Sequence, residues 1–124
     1  MNLVDLHRNL STVREMCLKY SFSVKPTPSV HGRYSIQFKW HDHWYFVSDT
    51  FMKVMMHHAM HYKAEQMRKI LKIDYQIKVV DFENVLVFEN ERKAKKAMHN
   101  LLLWIHRKHG NYLDRLLSRI EIPF

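Results

Sequence analysis

The sequence predicts an α+β fold in which two hairpins form an antiparallel sheet of four to five strands, packed against three to four helices. Two stretches alternate apolar and polar residues with a period of two, and the stretches around them repeat apolar residues at spacings of three and four. The 124-residue chain is 47% hydrophobic with only 2 glycines and 3 prolines, which is typical of a folded protein. We expect residues 1–124 to form one domain with the order α-ββ-α-ββ-α-α.

The first predicted helix covers residues 2–20, and its end is marked by a break at Lys25-Pro-Thr-Pro-Ser, because a residue before proline avoids the helical region. Phe22 and Val24 favour a short edge strand before that break. The single cysteine, Cys17, lies on the apolar stripe of this helix and is interpreted as an unreactive core thiol. The stripe consists of Leu3, Leu6, Leu10, Val13, Cys17 and Tyr20.

The first hairpin is predicted from the alternation that begins at residue 34 and places large aromatic and aliphatic side chains on one face. His41, Asp42 and His43 form the expected turn, and residues 44–47 form the returning strand. Residues 48–50 are all suitable helix caps. A broad apolar face then extends over residues 52–71. The inward-facing residues of the first strand are Tyr34, Ile36, Phe38 and Trp40.

The second hairpin begins with the alternation of residues 73–79, for which Glu83 and Asn84 are the predicted turn and residues 85–88 the return. Asn90 is the expected cap of a helix that runs from Glu91 to about residue 109, where Gly110 ends it. A last helix is predicted over residues 112–120. These assignments complete the predicted element order.

The two hairpin-and-helix segments align without a gap when the chain is shifted by 41 residues, which matches Tyr34 with Tyr75 and Asp49 with Asn90. The alignment suggests an internal duplication. The alternative is that any two amphipathic hairpins followed by helices align by pattern alone. Both interpretations predict the same architecture.

The net charge is +8, and residues 91–124 carry most of the excess, which favours polyanionic partners. Cations at the start of the helix from Glu91 oppose its macrodipole, and only Glu91 itself is placed favourably there. This unfavourable placement of cations has no visible compensation in the sequence, which suggests that the cations have a function. Nucleic-acid phosphate is their natural binding partner. The alternative is a solvated helix face. The predicted phosphate contacts are Arg92, Lys93, Lys95, Lys96, Arg107 and Lys108.

The first hairpin supplies the second half of the predicted nucleic-acid site. Its outward face should present Lys39 and Trp44, with His41 and His43 at the turn. Aromatic and basic side chains together are suited to stacking on bases and contacting phosphates. The same residues would also serve a protein interface, where tryptophan is a common anchor, or pack beneath a neighbouring helix.

Catalytic and metal sites are not expected. His57 and His61 stand four apart with His58 between them, a spacing that suits metal ligands, but the glutamate of the metalloprotease motif is absent. The sequence contains no glycine-rich phosphate loop. A nuclease that uses the histidines around Asp42 is the enzymatic alternative. We predict no catalytic residue, no metal and no cofactor.

The composition of the chain indicates its expected cellular location and partners. The longest apolar run, Leu101–Ile105, is far too short to cross a membrane, and a lone cysteine suits a reducing compartment, so we expect a cytoplasmic protein. The leading hypothesis is a small DNA- or RNA-binding regulatory protein, monomeric or homodimeric. The alternative is a protein-binding inhibitor or adaptor, of the kind that a virus deploys against its host, acting through an exposed apolar or aromatic surface.

Two families share parts of this predicted architecture. The order helix, three strands, helix over residues 2–70 resembles double-stranded-RNA-binding domains, without their glycine-bearing loop and lysine-rich helix start. The segment 85–98 is similar to the strand-to-helix segment of RNA-recognition motifs, without their aromatic signature. These resemblances concern shape only and assign no role to any residue.

Overall fold

The computed structural model describes residues 3–56 and 64–109 and has the α+β fold that the sequence predicts. The predicted helix 112–120, the helix end at Gly110 and the histidines His57, His58 and His61 lie outside the described residues. The elements are α1 (Leu3–Tyr20), β1 (Ser23–Pro26), β2 (Tyr34–Trp40), β3 (His43–Phe46), α2 (Asp49–Met56), α3 (Ala64–Leu71), β4 (Gln76–Val80), β5 (Glu83–Phe88) and α4 (Glu91–His109).

The five strands form one antiparallel sheet centred on β2. β1 pairs with one edge of β2, whereas β3 and β5 share its other edge and β4 follows β5 on the outside. Because side chains alternate across a strand, Ile36 and Phe38 lie on the face that the helices cover, with Leu86 and Phe88 of β5. The opposite face, which we call the open face, carries a smaller buried cluster around Val85.

The main core joins the helix-covered face of the sheet to α1, α2, α3 and α4. Met52, Met55 and Met67 are fully buried there, as expected for core packing of the methionine-rich face. The predicted stripe of α1 is only partly confirmed, because Leu3 is 82% exposed and Leu10 is 47% exposed. The stripe reaches the core towards the end of the helix, where Met16 and Tyr20 are buried.

Side-chain caps begin two helices where the sequence places them. The Ser48 hydroxyl accepts a hydrogen bond from the Phe51 N–H of α2 at 3.1 Å. The Asn90 carboxamide oxygen accepts one from the Lys93 N–H of α4 at 2.8 Å. Each satisfies a donor that has no partner within its own helix.

The second hairpin turn differs from the prediction. Glu83 and Asn84 already belong to β5, and the loop consists of Asp81 and Phe82, both with positive φ. His41 and Asp42 form the same two-residue loop in the first hairpin, so the predicted turn was one residue too long and His43 already belongs to β3. The two turns are therefore 40 residues apart, and the alignment by 41 fails there. β4 continues as far as Val80 because the Val80 side chain is buried on the open face, where it packs with Val85. Positive φ at both loop positions identifies type I′ turns.

Candidate nucleic-acid interface

The buried face of α4 fixes the direction of its cations. Ala94, Leu101 and Ile105 are fully buried against the rest of the fold. Residues spaced by three and four on the opposite side share one exposed stripe. The stripe consists of Arg92, Lys96 and Arg107, which are exposed, and His99 and Leu103, which are half-buried.

Two of the predicted phosphate contacts have partners within the chain. Lys93 forms an ion pair with Glu89, and Lys95 forms one with Glu91 at 2.9 Å. The hydrogen bond and charge of Lys93 lower the pKa of Glu89 below its usual value. The Glu89 and Glu91 carboxylates also compensate the macrodipole at the start of α4, so the cations there are not without compensation. Such exposed pairs are weak and leave both lysines accessible, whereas Arg92, Lys96 and Arg107 form no ion pair with a described carboxylate.

A cavity of about 450 Å³ lies between the end of α3 and the second half of α4. Its lining combines the cations Lys69 and Lys72, from α3 and its C-terminus, with the cation Arg107 and the imidazole of His99 from the stripe. No carboxylate is present among the described residues that line it. Its other described lining residues are Asn9, Ile70, Asn100, Leu103 and Trp104.

The side of the cavity formed by α3 is anchored to α4. The Asn100 amide donates a hydrogen bond to the Leu71 carbonyl oxygen at 2.7 Å. The Lys72 N–H closes the helix on the Arg68 carbonyl at 2.7 Å, with Lys72 itself at φ 60°. These bonds hold the Lys72 backbone beside α4, where the residue lines the cavity.

An aromatic ring lies beside these charges. Trp104 is half-buried in the wall of the cavity, and the Lys108 ammonium stands 5.1 Å from its ring centroid. Lys108 therefore makes a cation–π contact with Trp104 and does not belong to the exposed stripe. The run Leu101–Ile105, apolar on all sides, is explained in part, because Leu103 and Trp104 line this cavity while the other three are buried.

Sequence reasoning missed Lys69, Lys72 and His99. Basic residues in the last turn of a helix are favoured by the macrodipole alone, so Lys69 and Lys72 carried no functional signal in the sequence. The available signal was the absence of acidic residues from 66–73 and from the exposed stripe of α4. This absence of acidic residues indicates a site only once the fold has placed the two segments side by side.

The hairpin residues form a separate surface. Lys39 pairs with Trp44 across β2 and β3, and Trp44 is 47% exposed with the Lys25 ammonium 3.9 Å above its ring. Both Lys39 and Trp44 lie on the open face, whereas α4 packs on the other face of the sheet. His41 is exposed in the turn, and His43 is exposed at the start of β3. The predicted contacts Lys39 and Trp44 therefore lie on the opposite face of the sheet from α4.

Other chemistry finds little support within residues 3–56 and 64–109. No group of three His, Cys, Asp or Glu side chains there is arranged to hold a metal ion. Burial raises the pKa of the Cys17 thiol, which disfavours the reactive thiolate. None of the described helices combines the length and apolar character needed to cross a membrane.

No protein-family model, curated protein or solved structure matches this chain.

Proposed function

We propose that this chain is a small nucleic-acid-binding regulatory protein, and that the cavity between α3 and α4 is its phosphate site. The observation that carries the proposal is the convergence of Lys69, Lys72 and Arg107 on one cavity with no described carboxylate. Like charges held together repel each other, and a phosphate backbone relieves that repulsion, while the protein cations release the counterions condensed on the nucleic acid.

The exposed stripe extends the positive surface along α4. Arg92 and Lys96 lie one or more turns before the cavity on the same side of the helix, and neither forms an ion pair with a described carboxylate. A strand of nucleic acid that followed the helix would meet cations at successive turns.

The salt dependence of binding tests this proposal. Five cations, Arg92, Lys96, Lys69, Lys72 and Arg107, predict a slope of log K against log salt of about −3.5 to −4.5. Fluorescence anisotropy with labelled single-stranded and duplex oligonucleotides measures the slope directly. A flat salt response, or no binding at low salt, would contradict the proposal.

A pair of charge-matched variants locates the site. Lys72→Gln should lower the magnitude of the slope by about 0.7–0.9 and weaken binding about five- to eightfold at 0.1 M salt. Lys78→Gln removes the same charge from an exposed position on β4 and should leave the slope almost unchanged. Equal effects of the two substitutions would show that binding depends on net charge and not on the cavity.

The first hairpin is a second surface for the same ligand in this proposal. Lys39→Gln tests it independently, because Lys39 lies on the open face, away from α4. A loss of slope similar to that of Lys72→Gln would assign phosphate contact to both faces. An unchanged slope would restrict the site to the helical layer.

A further inference from the structure

The outer edge of β4 is open along the described part of the chain. β4 is the last strand of the sheet, and β5 is its single partner there. A two-residue hairpin closes on a hydrogen-bonded pair, here Val80 and Glu83, and the bonded pairs then alternate along the ladder. The backbone N–H and C=O groups of Ile77 and Val79 therefore point away from β5 and towards the open edge.

The same two residues expose apolar side chains. Ile77 is 42% exposed and Val79 70% exposed, although both point to the helix-covered face of the sheet. Open backbone groups and apolar side chains at the same positions are the features by which an edge strand accepts another strand.

The adjoining turn adds an aromatic side chain in an unfavourable backbone conformation. Phe82 is fully exposed, and its backbone φ of 67° lies in a region that residues other than glycine, asparagine and aspartate rarely adopt. The residue therefore costs stability in its turn and recovers none by burial. Strain of this kind, at a position where glycine is the usual residue, indicates a role outside the fold.

The positive charge of Lys78 and of the whole chain indicates whether the β4 edge binds a second copy of this chain or a different protein. Antiparallel pairing of two β4 strands that matched Ile77 with Val79 would place Lys78 directly opposite Lys78 of the second copy. Like charges in that position destabilise the pair, and the net charge of +8 adds to the repulsion. An acidic side chain opposite Lys78 would instead be favourable.

We infer that the β4 edge binds an extended segment of a partner protein, with apolar residues opposite Ile77 and Val79 and an acidic residue opposite Lys78. Asp74 and Asp81 lie beyond the two ends of the strand, so acidity is favoured at the centre of the segment and not at its ends. This surface is separate from the phosphate site, and it gives the protein-binding alternative a location.

Titration of the isotope-labelled protein with synthetic peptides, followed by NMR, tests the inference. One short peptide has a central glutamate flanked by valines, and the matched control has lysine at the centre. The glutamate peptide should shift the amide signals of Ile77 and Val79, slow their hydrogen exchange, and bind about two- to thirtyfold more tightly than the lysine peptide. Equal binding of the two peptides, or no change at these amides, would overturn the inference.

Two variants separate edge pairing from other modes of binding. Lys78→Glu should reverse the preference between the peptides, a result that loss of folding cannot produce. Val79→Pro removes an outward N–H that β5 does not use, and should weaken binding about fivefold while urea unfolding confirms the fold. Undiminished binding to Val79→Pro would exclude strand addition. A dimer of the protein alone that Val79→Pro abolished would replace the partner protein with a second copy.

Discussion

Phe82→Gly should stabilise the protein even though it removes a large side chain. A residue other than glycine in the left-handed region costs about 1–2 kcal/mol. Phe82 is fully exposed, so its removal uncovers no apolar contact in the described structure. Glycine also increases the conformational entropy of the unfolded chain, which lowers the free energy of unfolding by about 0.4–1 kcal/mol. The expected net gain in the free energy of unfolding is about 0.5–1 kcal/mol, and the substitution places glycine after Asp81, a favoured pair for this turn.

The first hairpin provides the matched control. Asp42 occupies the equivalent turn position with φ 63°, but aspartate tolerates this conformation because its short side chain bonds locally. Asp42→Gly should therefore change stability much less than Phe82→Gly. Urea denaturation followed by circular dichroism measures both, and thermal unfolding should show a rise of about 2–4 °C for Phe82→Gly.

A loss of stability in Phe82→Gly would refute this reasoning, because it would show that the ring makes contacts that compensate the strain. A gain in stability accompanied by weaker binding of the valine–glutamate peptide would be the expected signature of a residue retained for recognition. Stability and binding would then change in opposite directions at one position.

Three further predictions follow from local contacts. Asn90→Ala should lower the free energy of unfolding by about 1 kcal/mol in urea titrations, because the Lys93 N–H loses its cap; an unchanged midpoint would contradict this. The Cys17 thiol should react with iodoacetamide more slowly in the native protein than in urea, since burial raises its pKa, and equal rates would show an accessible thiolate. Partial desolvation and then the charge of Asp81 raise the pKa of Glu83, so its ionisation destabilises the fold. Glu83→Gln should therefore raise the free energy of unfolding at pH 7, and urea titrations should show this gain disappear as the pH falls below the ordinary carboxyl pKa of about 4.

The first hairpin could be predicted from sequence because its chemistry is consistent at every level. Large apolar residues alternate up to Trp40, two residues suited to a turn follow, and the return strand begins at once. In the second hairpin the local signals conflict. Phe82 is a poor residue for its turn, and the polar pair that follows it resembles a better loop, so the prediction moved the turn two residues along. Local rules failed where the backbone is strained.

The phosphate site could be predicted only in part for a different reason. The basic character of α4 is local information, and Arg92, Lys96 and Arg107 are indeed exposed on one side of it. The contact that completes the cavity joins Asn100 to Leu71, which are 29 residues apart. No periodicity or spacing encodes such a tertiary contact. Burial of Ala94 and Leu101 determines which side of α4 faces out, and hydrophobic pattern alone had not specified that α3 ends beside it.

The two proposed surfaces have a fixed relation because a short, anchored segment joins them. Lys72 and Ile77 are five residues apart in the chain, so their Cα atoms are separated by at most about 18 Å. Between them Tyr75 is buried, with its hydroxyl 3.6 Å from the Met67 sulfur and the Arg68 guanidinium 5.3 Å from its ring. The Debye length is about 8 Å at physiological salt and about 30 Å at 0.01 M, so a phosphate at the cavity and an acidic side chain opposite Lys78 would interact mainly at low salt. Their mutual repulsion would make binding of nucleic acid and partner weakly competitive, to the same degree in both directions and less as salt increases.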